Sequence, residues 1–245
     1  MEWADTGIVL SVRAHGETSA ILEALTREHG RHAGLIRGGR SRKLRPLLQP
    51  GNTVALLWRA RLSEHLGNFA VESSLARAGA LIDMPQALAG LNAFTSIVRA
   101  VLPEREPHGS VYEAAEILLN AMAKGDFLHW APIYVRWEAG LLEELGFGLD
   151  LSECAATGIN DDLTFVSPRT GRAVSTSAAK PYEGRLLALP PFLLGSQNAS
   201  CSVRDILDGL KLTEHFLVQR LFEPHGQSLP YARSRLRDLI SRESK

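Results

Sequence analysis

At 245 residues the chain is too long for one small barrel and has the length of two modest domains. Its 45% hydrophobic and 22% charged residues are ordinary for a globular protein with a buried core, and it contains no apolar run long enough to cross a membrane. The net charge of zero, taken alone, argues against a nucleic-acid binder.

The first 75 residues predict a small, closed β-sheet. Short apolar runs alternate with turn residues, and five of these runs predict strands at residues 8–12, 20–26, 33–37, 53–58 and 69–72. A barrel removes the sheet edges that so short a sheet would otherwise expose. The size suits an OB-fold, although an SH3-like barrel would give a similar pattern.

From about residue 74 the apolar period becomes helical. Apolar stripes predict helices at residues 87–102 and 111–122, and a third that Asp126 caps and Gly146 ends. Pro132 should kink or restart this third helix, because it supplies no amide hydrogen. We therefore expect a barrel domain over residues 1–76 and a helical domain over residues 77–245.

Residues 147–200 are rich in Gly, Pro and Ser and predict an irregular inserted lobe. Strand-like pieces lie at residues 163–166 and 172–174. After the lobe, Ser202 and Asp205 form a capping-box pattern that opens a helix to about Phe222. A last basic helix is expected near residues 231–242, so the predicted fold class is α+β with two domains.

No enzyme motif is present: there is no nucleophile elbow, zinc-protease helix, phosphate loop or dinucleotide fingerprint. Glu143 and Glu144 are neighbours on one helix and point apart, which indicates a solvated face and not an acid–base pair. His29 and His32 fall at a predicted hairpin turn, where we expect surface residues and no metal site. The sequence therefore predicts a protein without catalytic residues.

A zinc site is not expected. Cys154-Ala-Ala-Thr157 has half of a Cys-x-x-Cys pattern, and no further cysteine occurs before Cys201. A structural zinc site needs four nitrogen or sulfur ligands. Two cysteines so far apart are no disulfide framework and fit a reducing cytoplasm, while the acidic N-terminus argues against export. Cys201 is expected to be a buried small hydrophobe.

The strongest functional signal is a basic loop, residues 37–45, directly after the third strand. It places five cations in nine residues: Arg37, Arg40, Arg42, Lys43 and Arg45. Gly38 and Gly39 let the backbone turn and approach a partner closely. An irregular, flexible, guanidinium-rich loop on a barrel suits phosphate contact, since each neutralised phosphate releases counterions. The alternative is a solvated surface loop.

The distribution of charge agrees with this interpretation. Residues 1–80 hold 11 Lys/Arg and 7 Asp/Glu, a net +4, whereas residues 81–150 hold 4 and 10, a net −6. The aromatic side chains Trp58, Phe69 and Phe94 are expected in the core and not as base-stacking platforms.

A second candidate site lies on the third predicted helix. Arg136 is one of the few cations in the acidic segment, and Ile133, Trp137 and Leu141 accompany it. One Arg beside an apolar groove could hold a chain-terminal carboxylate with an apolar last residue. Alternatively, the stripe Trp130-Tyr134-Trp137 is core, and Arg136 pairs with Glu143 or another nearby carboxylate.

Several segments in order resemble the RecO family of DNA repair proteins over essentially the whole chain. In the first half they are Gly7-Ile-Val-Leu, Gly16-Glu-Thr-Ser19, Leu25-Thr26-Arg-Glu-His-Gly30 and Arg37-Gly-Gly-Arg40. In the second half they are Val135-Arg136-Trp137-Glu138, Leu145-Gly146-Phe147, Cys154-Ala-Ala-Thr-Gly158, Arg220-Leu221 and Ser234-Arg235.

The resemblance implies an N-terminal OB-fold, a helical domain and a zinc-ribbon-like lobe, here without zinc ligands and without any cofactor. It implies a bacterial cytoplasmic protein, nucleoid-associated when engaged, that binds single-stranded and double-stranded DNA and anneals single strands. Its partners would be RecR and the C-terminal tail of single-strand-binding protein. With RecR it would help load the RecA recombinase onto DNA coated by single-strand-binding protein. Alone it would be a monomer. The rival hypothesis is a protein–protein adaptor whose barrel never touches DNA.

Overall fold

The structure is a computed structural model that describes residues 1–182, 184–195 and 201–243. The chain forms two compact units, Met1–Gly125 and Asp126–Lys245. The first unit joins the five-stranded sheet to the helices that follow it, and the second contains the remaining helices and a small sheet. The predicted division into a barrel domain over residues 1–76 and a helical domain over residues 77–245 stays a prediction.

All five predicted strands are present, and each is longer than predicted. They are β1 (Glu2–His15), β2 (Ser19–Thr26), β3 (Gly30–Ile36), β4 (Thr53–Arg59) and β5 (Asn68–Leu75). They form a closed barrel in the order β1-β2-β3-β5-β4, in which β1 also pairs antiparallel with β4. The long β1 makes this closure possible, because its first half pairs with β4 and its second half with β2.

The barrel core follows the period-two alternation of the strands. Its buried side chains include Val9, Leu22, Val54, Leu56, Trp58 and Phe69. A Cβ on Gly34 would lie 2.4 Å from the ring of Phe69, so this glycine lets the ring pack flat against β3. The prediction that Trp58 and Phe69 are core residues is confirmed, and truncating either to Ala would cost about 3–5 kcal/mol.

Three helices complete the first unit: α1 (Ala78–Ile82), α2 (Pro85–Val101) and α3 (Gly109–Ala123). The last two confirm the predicted helices, while α1 is too short for a periodic signal. Pro85 stands at the start of α2, where its missing N–H costs nothing. Phe94 on α2 is fully buried, as predicted.

The second unit begins with α4 (Phe127–Glu144). Of the two predicted effects of Pro132, a restart of the helix is wrong, because α4 is continuous through this residue, and a kink stays a prediction. The core interpretation of the aromatic stripe is confirmed, since Trp130, Tyr134 and Trp137 are at most 3% exposed. The free energy gained by burying this stripe exceeds the cost of the one backbone hydrogen bond that Pro132 cannot make.

The predicted lobe contains a small three-stranded sheet in the order β7-β6-β8. The strands are β6 (Leu163–Val166), β7 (Ala173–Ser175) and β8 (Leu187–Ala188), and the short helix α5 (Thr176–Ala179) follows β7. The first strand-like piece is therefore confirmed and the second is shifted by one residue.

Two helices end the chain: α6 (Val203–Leu217) and α7 (Tyr231–Glu243). The predicted capping box at Ser202 and Asp205 is present, and a π-helical turn carries the chain on to Phe222. A buried pair joins α7 to α4, because Arg233 donates to both carboxylate oxygens of Glu138, at 2.5 and 2.9 Å. Among the described residues we find no helix with the length and apolar composition needed to cross a bilayer.

Candidate nucleic-acid interface

The side chains of all five cations of the basic loop are exposed to solvent on the first unit. Within the described part of the chain, no carboxylate lies at ion-pair distance from any of them. Arg40 is partly committed, because it donates to the carbonyl oxygens of Gly16 and Glu17 at 3.2 and 2.8 Å. The loop therefore presents a cluster of positive charge that no local acid neutralises.

The expectation of an irregular loop is wrong, because the backbone forms consecutive hydrogen-bonded turns. Gly39 N–H donates to the Ile36 carbonyl at 3.2 Å, Ser41 to Gly38 at 2.9 Å, and Arg45 to Ser41 at 3.0 Å. Gly38 lets the backbone turn, as predicted, with a φ of +67°. Gly39 packs against β2, where a Cβ would meet Ala20 at 2.8 Å, and its close approach to a partner stays a prediction. The backbone that carries the five cations is therefore held by hydrogen-bonded turns.

Asn52, at the end of this segment, holds the loop against the helices. Its amide nitrogen donates to the carbonyl oxygens of Pro46 and Leu47 at 2.9 and 3.1 Å. Its side-chain oxygen accepts the backbone N–H groups of Arg77 and Ala78 at 2.8 and 2.9 Å. Asn52 was not predicted as a functional residue, because an asparagine in a turn gives the same sequence pattern whether its amide is buried or solvated.

A groove of about 530 Å³, the loop groove, runs from the basic loop to β4 and β5. Arg37 and Leu44 line it on the loop side, and Leu57, Arg59, Asn68 and Ala70 line the strand side. The sequence prediction missed Arg59 and Asn68. The alternation of β4 could have found Arg59, because the buried Trp58 points inward and its neighbour must point out.

A second groove, of about 610 Å³, contains aromatic rings. The rings of Trp3 and His29 stack at 4.0 Å, and His29 Nδ1 lies 3.0 Å from an oxygen of Asp5. His32 is only 3% exposed, and its burial lowers its pKa. The prediction that both histidines lie on the surface is therefore wrong for His32.

Arg105 lines the aromatic groove, but most of its hydrogen-bond donors are already used within the chain. Its guanidinium donates to the backbone carbonyls of Ser63, Glu64 and His65 at 2.7–3.1 Å. Glu2 and Glu28 add negative charge to the same groove. The loop groove, next to five exposed cations, is therefore the better site for a polyanion.

In the second unit the structure separates the residues predicted to hold a partner tail. Arg136 is exposed and Ile133 half-buried, whereas Trp137 and Leu141 are 3% and 1% exposed. Arg136 does not pair with Glu143: its Nε and Nη2 donate to the Phe192 carbonyl at 2.9 and 2.7 Å. A partner could thus reach Arg136 and Ile133, while the other two residues belong to the core.

The lobe holds Cys154 in a hydrogen-bonded setting. Its sulfur accepts the backbone N–H and the hydroxyl of Ser175 at 3.3 and 3.4 Å. Within the described ranges, no three His, Cys, Asp or Glu side chains come close enough to share a metal ion. The prediction that Cys201 is buried is wrong, since it is partly exposed.

Comparison with known proteins covers both units. Residues 1–75 match the family model described as Recombination protein O N terminal, and residues 83–229 match Recombination protein O C terminal. A DNA repair protein RecO of Rhodospirillum centenum is 53% identical over 97% of this chain and 94% of its own length. Those of Phenylobacterium zucineum and Cereibacter sphaeroides are 53% and 51% identical, over 98% and 99% of this chain and 98% and 100% of their own.

Proposed function

This chain belongs to the RecO family of DNA repair proteins and is not an enzyme, and we propose that it binds and anneals single-stranded DNA. We further propose that, with RecR, it helps load RecA onto DNA coated by single-strand-binding protein. It would act in the bacterial cytoplasm, associated with the nucleoid when engaged, and as a monomer when alone.

The observation that carries the proposal is the basic loop with its five exposed cations and no local acid within ion-pair distance in the described chain. Guanidinium and ammonium groups that bind phosphates release condensed counterions, and this release drives binding whatever the base sequence. A surface of this kind contacts the backbone and not the base edges. It would therefore accept single-stranded and double-stranded DNA.

Annealing follows from the same electrostatics. Two complementary strands repel each other through their phosphates, and a protein that neutralises part of this charge lowers the cost of bringing them together. The bases stay free to pair, because the exposed loop contains no aromatic side chain that would stack on them.

The architecture supports assigning each unit a role. We assign the closed barrel, with its strand order β1-β2-β3-β5-β4, to the OB-fold class, many of whose members bind single strands. We assign the small sheet around Cys154 to a zinc-ribbon-like lobe that hydrogen bonds hold together in place of metal. The second unit would receive the tail of single-strand-binding protein at Arg136 and Ile133.

A salt series separates this proposal from the rival adaptor function. Fluorescence anisotropy of a labelled oligo-dT should show saturable binding whose affinity falls steeply as salt rises, because counterion release is reversed. An adaptor with an apolar docking surface would show no saturable DNA binding at low salt. That result would favour the adaptor.

A further inference from the structure

The outward face of the barrel forms rows across β1, β4 and β5. In one row Glu2 is paired with Arg59 and Arg59 with Asn68; in the next, Ala4 is paired with Leu57 and Leu57 with Ala70. The inward neighbours Trp58 and Phe69 are buried, which fixes this alternation. A polar row with one cation therefore lies beside a low, apolar row.

The loop groove runs over these rows. Its strand side is formed by Leu57, Ala70, Arg59 and Asn68, and its other side by Arg37 and Leu44 of the basic loop. Within the part of the chain that the structure describes, no carboxylate lines it. On the same face of β5, the exposed Glu72 lies two residues beyond Ala70 and limits a polyanion to the Arg59 end.

Arg59 is held by an acid just outside the groove. Its Nε and Nη2 donate to the two carboxylate oxygens of Glu2 at 2.8 and 3.0 Å. Both side chains are largely exposed, at 64% and 52%, and such a surface pair contributes little to stability. A phosphate offers the same pair of acceptor oxygens to an arginine fork, so it can replace the carboxylate at small cost.

We propose that single-stranded DNA crosses the barrel along the loop groove, that Arg59 binds a backbone phosphate there, and that Glu2 occupies Arg59 until DNA displaces it. This inference rests on the proposed function and adds the path of the strand and an internal competitor. Leu57 and Ala70 give the sugars of the strand an apolar floor between Arg59 on one side and the basic loop on the other, so the bases can still pair. Arg59 on one side of the groove and the five cations of the basic loop on the other fit a chain of phosphates better than a peptide tail with a few carboxylates.

Three variants of the full chain test the proposal by anisotropy with labelled oligo-dT. Arg59→Ala should weaken binding about tenfold, as expected for one charge-assisted contact. Glu2→Gln should tighten it about twofold to fivefold, because the competitor is removed. In the double variant, Glu2→Gln should bring no gain, since Arg59 is then absent.

Arg61→Ala is the matched control, because Arg61 is also exposed just past the end of β4, and it should change binding less than Arg59→Ala. Folded Arg59→Ala and Glu2→Gln variants with wild-type affinity would overturn the groove path; the proposed function would stand if removing the loop cations still abolished binding. No DNA binding by the wild type would overturn both. Binding of an acidic peptide that DNA does not displace and that Arg59→Ala abolishes would assign the groove to a protein partner instead.

Discussion

The side-chain oxygen of Asn52 accepts the backbone N–H of Arg77 at 2.8 Å, while the amide nitrogen of the same residue donates to the carbonyl oxygen of Pro46, directly after the basic loop. One buried amide thus joins the predicted DNA-binding surface to the start of α1. The guanidinium of Arg77 strengthens the junction by donating to Thr53 Oγ1 at 2.7 Å and to Glu116. We therefore expect this contact to anchor the segment that follows the loop cations.

We expect Asn52→Ala to destabilise the fold by about 2–3 kcal/mol, because it leaves buried donors and acceptors without partners. Denaturant unfolding of the full chain measures this loss. Gln49→Ala is the control: its amide also donates to a loop carbonyl, that of Arg45 at 2.9 Å, but in an exposed setting. If both variants unfolded at the wild-type denaturant concentration, Asn52 would not hold the loop.

Stability should fall in acid partly through Glu23. Burial acts to raise the pKa of this β2 carboxyl, but hydrogen bonds from Arg31 and Arg99 outweigh it and hold the pKa below its usual value. A carboxyl with a lowered folded pKa stabilises the fold above its unfolded pKa, about 4.5, and this contribution is lost as pH falls through the folded value.

Glu23→Gln should therefore lower the unfolding free energy by about 1.5–3 kcal/mol at pH 7 and by less at pH 3. Thermal unfolding at both pH values measures the two differences. Glu17→Gln, on the exposed turn before β2, should change little at either pH. A Glu23→Gln deficit that was the same at pH 3 as at pH 7 would show that the effect comes from packing and not from charge.

Arg136→Ala should weaken binding of the C-terminal peptide of single-strand-binding protein by about 1.5–3 kcal/mol, through loss of a charge-assisted contact. Two guanidinium nitrogens already serve the Phe192 carbonyl, so the peptide carboxylate would use the remaining donors. DNA binding should stay intact. Calorimetry decides, with Arg204→Ala as an exposed control in the same unit; equal affinity for wild type and a folded Arg136→Ala variant would make Arg136 a structural residue.

The lobe should fold without metal. Cys154 sulfur accepts two hydrogen bonds from Ser175, and three of the four ligands of a structural zinc site are missing. Purified protein should hold no stoichiometric zinc, and a chelator should leave the melting temperature unchanged. One tightly held equivalent of zinc by elemental analysis would refute this.

Local patterns predicted most of the fold. Alternation located all five barrel strands, and caps and apolar stripes located the long helices, because these signals are set within a few residues. The five-residue helix α1 has too few positions for a period, and the continuity of α4 through Pro132 depends on burial of Trp130 and its neighbours.

The site was predictable only in part. Five cations in nine residues could be recognised from the sequence, but the segment directly after them is anchored by Asn52, whose partners include residue 77. Pairing across strands brings Arg59 next to Glu2, from which 57 residues separate it. No local pattern carries that information. The burial of His32 was missed because β3 begins at Gly30, before the predicted start at residue 33, and its alternation places His32 on the buried side with Gly34 and Ile36.

The salt dependence of oligo-dT binding in a loop variant tests the central claim most directly. Replacing Arg40, Arg42, Lys43 and Arg45 by Ala should weaken binding and flatten the slope of log affinity against log salt by roughly one unit per lost phosphate contact. The control removes four exposed cations from the second unit: Arg169, Lys180, Arg185 and Lys211. We predict a wild-type slope for the control and a reduced slope for the loop variant; a folded loop variant with wild-type affinity and slope would contradict the account.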